Sequence, residues 1–279
     1  MDPRFAQLPR SLVERSETTV LAGVPALVAI PAGDGPFPAC VWMHGRTVSK
    51  ELDPGRYLRW IRAGIAAVAL DLPGHGERRE PGWDGPERTL DVIRRMVGEI
   101  DGVLAAARDR YGPAAASPLG AIDFERLAIG GMSAGGMCAL RRLCDPAPHP
   151  FRCAAVESTT GWLGGLYFGT DGAAGPRWAV RHDPAEVAAV DPMERIDAFR
   201  PIPLLALHSE QDRTVPIAGQ RRFLEALRER YEREGADPEL VRLVTWPETG
   251  APEEHAGFGK VANEAKNLQV EFLTEHLAA

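Results

Sequence analysis

Arg126-Leu-Ala-Ile-Gly-Gly-Met-Ser133-Ala-Gly-Gly-Met-Cys-Ala-Leu-Arg-Arg-Leu143 is the stretch that decides the fold. A short apolar run, a Gly-x-Ser-x-Gly pentapeptide and a helix-like segment follow one another without a spacer, which predicts strand, sharp turn and helix. In such a turn the serine backbone is strained, and a Cβ two residues to either side would strike the neighbouring strand or helix. Gly131 and Gly135 remove that clash. The serine hydroxyl is left standing clear at the end of a strand, with the N–H of Ala134 at a helix start beside it. In a chain with 29 glycines the pentapeptide alone recurs by chance, so its surroundings have to support it.

Working outward, the pattern alternates. Thr18–Leu21 and Ala26–Ile30 predict an opening antiparallel hairpin. Ala39–Met43 and Ala66–Leu70 are short apolar runs around a helical segment near Tyr57 to Ala63, as expected of strands buried on both faces of a parallel sheet. Leu90, Ile93, Val97, Ile100 and Leu104 repeat at helical spacing and predict a long helix over about 87–111. Further strands are expected at Leu127–Ile129, Cys153–Val156, Leu204–Leu207 and Val241–Thr245, and further helices near 216–234 and 259–277. This alternation defines an α/β class, a doubly wound and mostly parallel sheet, in one domain spanning 1–279.

One interval breaks the rhythm. Over forty residues separate the strands ending near Val156 and starting near Pro203, too many for a simple crossover. A cap or lid insertion is expected at 158–200, with helix starts at Asp183-Pro and Asp191-Pro. Its Trp162, Tyr167, Phe168 and Trp178 either line a substrate pocket or form a small core of their own.

Composition excludes several classes. The net charge of −7 without a basic run argues against a nucleic-acid partner. No apolar stretch is long enough to span a bilayer and Met1–Arg10 has no apolar leader core, so the expected location is cytoplasmic with no membrane partner. Cys40, Cys138, Cys144 and Cys153 lack Cys-x-x-Cys spacing and sit in or beside apolar segments, which predicts buried thiols and no metal site. Nothing in the composition fixes the oligomeric state, and a homodimer through exposed aromatics of the insertion is one outcome.

A serine needs a histidine base, and the base needs a carboxylate that fixes its tautomer. His149, His182, His208, His255 and His276 follow Ser133. His276 lies in the terminal helix, His182 in the insertion, His208 at a strand end and His149 before the next strand. His255 follows the last strand in a Pro/Gly-rich loop and is the expected base. Asp212, just past Leu204–Leu207 in His208-Ser-Glu-Gln-Asp212-Arg-Thr-Val-Pro216, is the expected acid, with Glu210 as its rival. A second oxyanion donor is expected from the N–H of Arg46 in Trp42-Met-His44-Gly45-Arg46-Thr47. The Arg46 side chain is either solvated or attracts an anionic substrate. This chemistry requires no cofactor.

These residues resemble α/β-hydrolase fold enzymes of the dienelactone-hydrolase-like and prolyl-oligopeptidase-like esterase group. The resemblance rests on His44-Gly45-Arg46, Asp71-Leu-Pro-Gly74-His75-Gly76-Glu77, Gly131 to Gly135, His208 to Pro216 and His255, and runs nearly the full chain. It implies an eight-stranded sheet with the cap after the sixth strand. It also implies Ser133 as nucleophile, Asp212 as acid, His255 as base and the amides of Arg46 and Ala134 as the oxyanion hole, with Asp71 to Gly76 a structural turn. Dienelactone hydrolases carry cysteine where this chain has Ser133, which points to a serine carboxylesterase acting on small-molecule, short-chain acyl esters. Amidase or small-peptide hydrolase, deacetylase and lactone hydrolase share the same triad. A silent ligand-binding module of this fold should lack a triad member or an elbow glycine, and this chain has them all.

Overall fold

The computed structural model describes residues 8–169 and 178–278; residues 170–177 of the expected insertion, and 1–7 and 279 at the ends, lie outside the described residues. Eight strands form one sheet: β1 (Ser16–Leu21), β2 (Val24–Ala29), β3 (Phe37–Met43), β4 (Ala66–Leu70), β5 (Ile122–Met132), β6 (Phe151–Glu157), β7 (Leu204–Ser209) and β8 (Val241–Trp246). Their order across the sheet is β1-β2-β4-β3-β5-β6-β7-β8. β2 pairs antiparallel with β1 and β4, and all later pairs are parallel.

The strands read as apolar runs because both faces of the sheet are covered. Ala39, Val41 and Met43 of β3 join one apolar cluster, while Cys40 and Trp42 join the other. The first cluster is closed by α3 (Thr89–Tyr111), α4 (Ala134–Leu143) and α7 (Ile217–Arg233), the second by α2 (Pro54–Arg62) and α8 (Ala262–Leu277). α3 buries Leu90, Ile93, Ile100 and Leu104 of the predicted stripe and Met96, Val103 and Ala107 beside them, while Val97 is only partly buried. α2 starts at Pro54 because Asp53 caps it, accepting the Arg56 N–H at 3.3 Å, a contact worth about 1 kcal/mol. Among the described residues no helix is long and apolar enough to cross a membrane, and all four cysteines are free and buried.

The strand order fixes where a site can form. From β3 the chain turns one way to β4, and β5 lies on the other side of β3, so the loops leaving β3 and β5 part and open a crevice. Ser133 and Arg46 both sit at that crevice.

The stretch 158–200 contains α5 (Leu163–Phe168), α6 (Pro184–Val190) and a 3₁₀ turn at Met193–Ala198. Asp183 caps α6 through the Ala185 N–H at 2.8 Å, as its Asp-Pro start predicts. Asp191 does more than open a turn. It is buried, and besides the Met193 N–H at 3.1 Å it accepts the N–H groups of Leu163 at 3.0 Å and Gly164 at 2.7 Å, satisfying the free amides at the start of α5 from 27 residues away or more.

Candidate active site

Ser133 adopts φ 52° and ψ −119°, a strained conformation for a non-glycine residue. Its neighbours hold it there. The Ser133 N–H donates to the Glu157 carbonyl at 2.9 Å, and Thr159 Oγ1 donates to the Ser133 carbonyl at 2.7 Å. A Cβ at Gly131 would lie 2.4 Å from the Gly135 carbonyl carbon, and one at Gly135 would lie 2.2 Å from the Met43 carbonyl oxygen. The first glycine lets the turn close on itself; the second lets it press against the end of β3.

The structure brings Ser133, Asp212 and His255 together. His255 Nε2 is 3.0 Å from Ser133 Oγ, and His255 Nδ1 is 2.8 Å from Asp212 Oδ2. Ionised Asp212 can only accept, so Nδ1 carries the proton and Nε2 is left to accept from the serine hydroxyl. The other oxygen of Asp212 accepts the N–H groups of Thr214 and Val215, each at 2.8 Å. Burial alone would raise the Asp212 pKa, but hydrogen bonds from His208 and His255 hold it below the ordinary carboxylate value. The rival Glu210 is exposed and turned to Arg221 and Thr245, each at 3.0 Å.

Two groups here were not legible as site residues. His208 Nε2 donates to the Val215 carbonyl at 2.9 Å and lies 3.4 Å from Asp212 Oδ2, the same oxygen that His255 engages, so it steadies that carboxylate beside His255. Glu254, next to the base, is buried and accepts from Ser209 Oγ at 2.8 Å, Thr249 Oγ1 at 2.7 Å, and the N–H groups of Thr249 and Gly250, both at 2.6 Å. Ser209 ends β7, three residues before Asp212. The loop of His255 is therefore latched to the strand that leads to Asp212, and the Arg213 N–H adds a bond to the Glu253 carbonyl at 3.0 Å. Glu253 and Glu254 both have φ 53°, so the latch holds a strained backbone. Two adjacent glutamates before His255 were the only signal, and loop glutamates are common.

Of the two expected oxyanion amides, Ala134 opens α4, where N–H groups have no partner within the helix. Arg46 follows Gly45, whose Cβ, if it had one, would sit 3.5 Å from Ser133 Cβ. Behind this loop the buried Lys50 is pinned to Asp71, by Nζ to Oδ2 at 3.0 Å and by its N–H to Oδ1 at 2.8 Å, tying the loop after β3 to the turn after β4. Asp71 to Gly76 is a structural turn, and His75 is buried apart from the serine, its Nδ1 against the Pro73 carbonyl at 2.8 Å.

A cavity of about 570 Å³ opens at Ser133 and His255, with Arg46, Thr214, Trp42 and Arg56 among its walls. None of Trp162, Tyr167, Phe168 or Trp178 lines it, so of the two expected roles, pocket wall or core, the pocket role is corrected. Tyr167 and Trp178 are buried and packed edge to face at 5.5 Å, in the core the insertion makes with α3 and α7. Trp162 is half-buried against that core, and Phe168 is exposed. The Arg46 side chain is half-buried and held in place: its guanidinium stacks over Trp178 with 5.2 Å to the ring centre, and Nη1 donates to the Asp84 carbonyl at 3.0 Å.

A strained serine on a strand-turn-helix at the switch point of an eight-stranded sheet defines an α/β-hydrolase fold. The family model of the prolyl oligopeptidase family matches residues 113–279, more than half of the chain, and the chain belongs to that family of serine hydrolases. It is 28% identical over 223 residues to Esterase YjfP of Escherichia coli K12, covering 76% of this chain and 84% of the relative. Among solved structures, TT1662 from Thermus thermophilus superposes with TM-score 0.67 at 27% identity, covering 95% of this chain and 98% of that one. A puromycin-hydrolyzing peptidase of Mycobacterium tuberculosis superposes with TM-score 0.68 at 20% identity; 98% of this chain corresponds to 41% of that longer one, a likeness of fold.

Proposed function

We propose that the chain is a serine carboxylesterase that hydrolyses short-chain acyl esters through an acyl-enzyme on Ser133. The observation that carries this reading is the continuous relay of Ser133 Oγ, His255 and Asp212, at 3.0 Å and 2.8 Å. His255 Nε2 takes the hydroxyl proton as Oγ attacks the ester carbonyl. The charge that develops on the carbonyl oxygen is received by the amides of Ala134 and Arg46. The same imidazole, now protonated and stabilised by Asp212, returns its proton to the leaving alcohol. It then draws a proton from water, which attacks the acyl-enzyme and frees the acid. The similarity to a protein named as an esterase supports the ester as substrate.

Hydrolysis of amides or small peptides is the second reading, favoured by membership of a peptidase family. The same relay serves it, because the imidazolium can protonate a leaving amine. Matched ester and amide pairs decide between the two: kcat/KM for p-nitrophenyl butyrate far above that for butyryl p-nitroanilide supports the esterase. Ser133→Ala is expected to abolish turnover and labelling by a fluorophosphonate while leaving the circular dichroism spectrum unchanged. A variant that keeps most of the activity would remove Ser133 from the mechanism.

A further inference from the structure

We propose that the Arg46 guanidinium is an anion receptor at the Ser133 cleft, and that the substrates are esters bearing a carboxylate. The second half rests on the ester-hydrolase reading above; the first rests on geometry alone. Arg46 lines the cavity with Ser133 and His255. Its backbone follows Gly45, itself in contact range of the Ser133 side chain, so the arginine departs from beside the reacting carbonyl.

The guanidinium is held in place. It lies over Trp178 at 5.2 Å and is anchored by Nη1 to the Asp84 carbonyl at 3.0 Å. Trp178 is fixed in turn, its Nε1 donating to the carbonyl of Thr214 at 2.9 Å, and Thr214 is another wall of the cavity. The indole thus spans from the loop after β3 to the loop of the acid and carries the cation between them. A guanidinium immobilised in this way has already lost the freedom that would oppose binding.

Among the described residues, Arg46 forms one hydrogen bond, to a neutral carbonyl, and has no carboxylate at ion-pair distance. Arginines with side chains less than a tenth exposed are paired with carboxylates, Arg56 with Glu157 at 2.7 Å, Arg78 with Glu99 at 2.7 Å and Arg142 with Asp101 at 2.8 Å. The half-buried Arg15 and Arg228 rest on backbone carbonyls, as the half-buried Arg46 does, but of these three only Arg46 lines the cavity. The remaining cations of the cavity are also committed, since Lys266 holds Asp53 at 3.0 Å. Burial pushes the Arg46 pKa down, and the more distant Tyr167, Glu87 and Asp84 only partly offset it. A fixed planar fork with spare N–H donors and no ion-pair partner among the described residues is complementary to a carboxylate, which it can bind through two parallel hydrogen bonds.

Two pairs of esters that differ only in charge test this. Acetate release from 4-acetoxybenzoate and from its methyl ester sets the carboxylate on the alcohol side; mono-p-nitrophenyl adipate and p-nitrophenyl hexanoate set it on the acyl side. The wild-type protein is expected to favour the charged member of at least one pair by about tenfold in kcat/KM. Arg46→Met is expected to lower that charged-to-neutral ratio by about tenfold, and Arg46→Lys to restore part of it. Calorimetry of both charged esters with Ser133→Ala, alone and combined with Arg46→Met, reads binding without turnover, and Kd is expected to rise about tenfold with the second substitution. Preference for the neutral member in both pairs, or a ratio and a Kd that Arg46→Met leaves unchanged, overturns the proposal. Arg46-dependent binding by a protein that turns over no ester keeps the anion receptor and removes the ester-hydrolase reading.

Discussion

Replacing Arg56 by methionine removes the ion pair beneath the nucleophile, together with a second contact to Asp53 Oδ2 at 3.1 Å, where Asp53 keeps Lys266 at 3.0 Å. Arg56 and Glu157 are both buried, and two bonds join them, Nη1 to Oε1 at 2.7 Å and Nη2 to Oε2 at 2.8 Å. In Arg56→Met the Glu157 carboxylate keeps one side-chain donor, Gln269 Nε2 at 3.2 Å. Breaking a buried pair from one side costs about 3–5 kcal/mol, because the abandoned charge keeps its desolvation penalty. Here the surviving amide, the adjoining cavity and the apolar packing that methionine retains over Trp42 favour the lower end, about 3 kcal/mol. For a chain of this size that is a fall in Tm of roughly 6–10 °C. The double variant Arg56→Met/Glu157→Gln removes the orphaned charge and should recover all but about 1 kcal/mol. Urea unfolding followed by circular dichroism gives both numbers. A single variant that loses less than about 1 kcal/mol, or a double variant no better than the single, refutes the reasoning.

Asp212→Asn should leave the fold intact and lower kcat by about 10³–10⁴-fold, since an amide at Oδ2 no longer enforces the Nδ1–H tautomer; steady-state kinetics with a p-nitrophenyl ester checks it, and a loss under about tenfold counts against the role. Gly131→Ala forces a Cβ to 2.4 Å from backbone that has no room to move, so soluble protein should fall steeply, whereas Gly98→Ala, in open space on α3, should be neutral or stabilising by thermal melt. Glu254 is held well below its ordinary pKa, at about 2, chiefly by the Thr249 N–H. A depressed carboxylate contributes stability above its unfolded pKa and loses it as pH falls, so Glu254→Gln should be less stable at neutral pH and should flatten the decline in Tm between pH 4.5 and 2. Parallel curves for the two proteins would count against the latch.

The parts legible in the sequence are those whose cause is local. Apolar runs at 39–43, 66–70 and 204–207 are strands because both sheet faces need them apolar, and Gly131 and Gly135 mark the turn because no other residue fits. His255 and Asp212 were reachable because chain order and strand ends constrain where each can stand. The aromatics of the insertion were not: ring content says that Tyr167 and Trp178 need burial, but not on which side, and the Asp191 cap that fixes α5 spans 27 residues or more. Glu254 reaches Ser209, 45 residues away, only through the pairing of β7 with β8, whereas His208 meets Asp212 and Val215 in the loop that follows it, a contact that no spacing rule singles out. The stacking of Arg46 on Trp178 joins positions 132 apart in the chain, so a surface-like arginine in the sequence is a fixed one in the fold.

The two halves of the relay rest on supports of unequal strength. Ser133 leaves β5, which is paired on both sides by β3 and β6, whereas His255 leaves β8, which has β7 alone as neighbour at the end of the sheet. Edge strands and their loops open at lower free energy than central ones. On warming, the His255 loop is therefore expected to open while the Ser133 turn is still folded, so that inactivation runs ahead of melting. Amide hydrogens of β8 should exchange before those of β3 and β5, and the latch of Glu254 on Ser209 sets how wide that gap is.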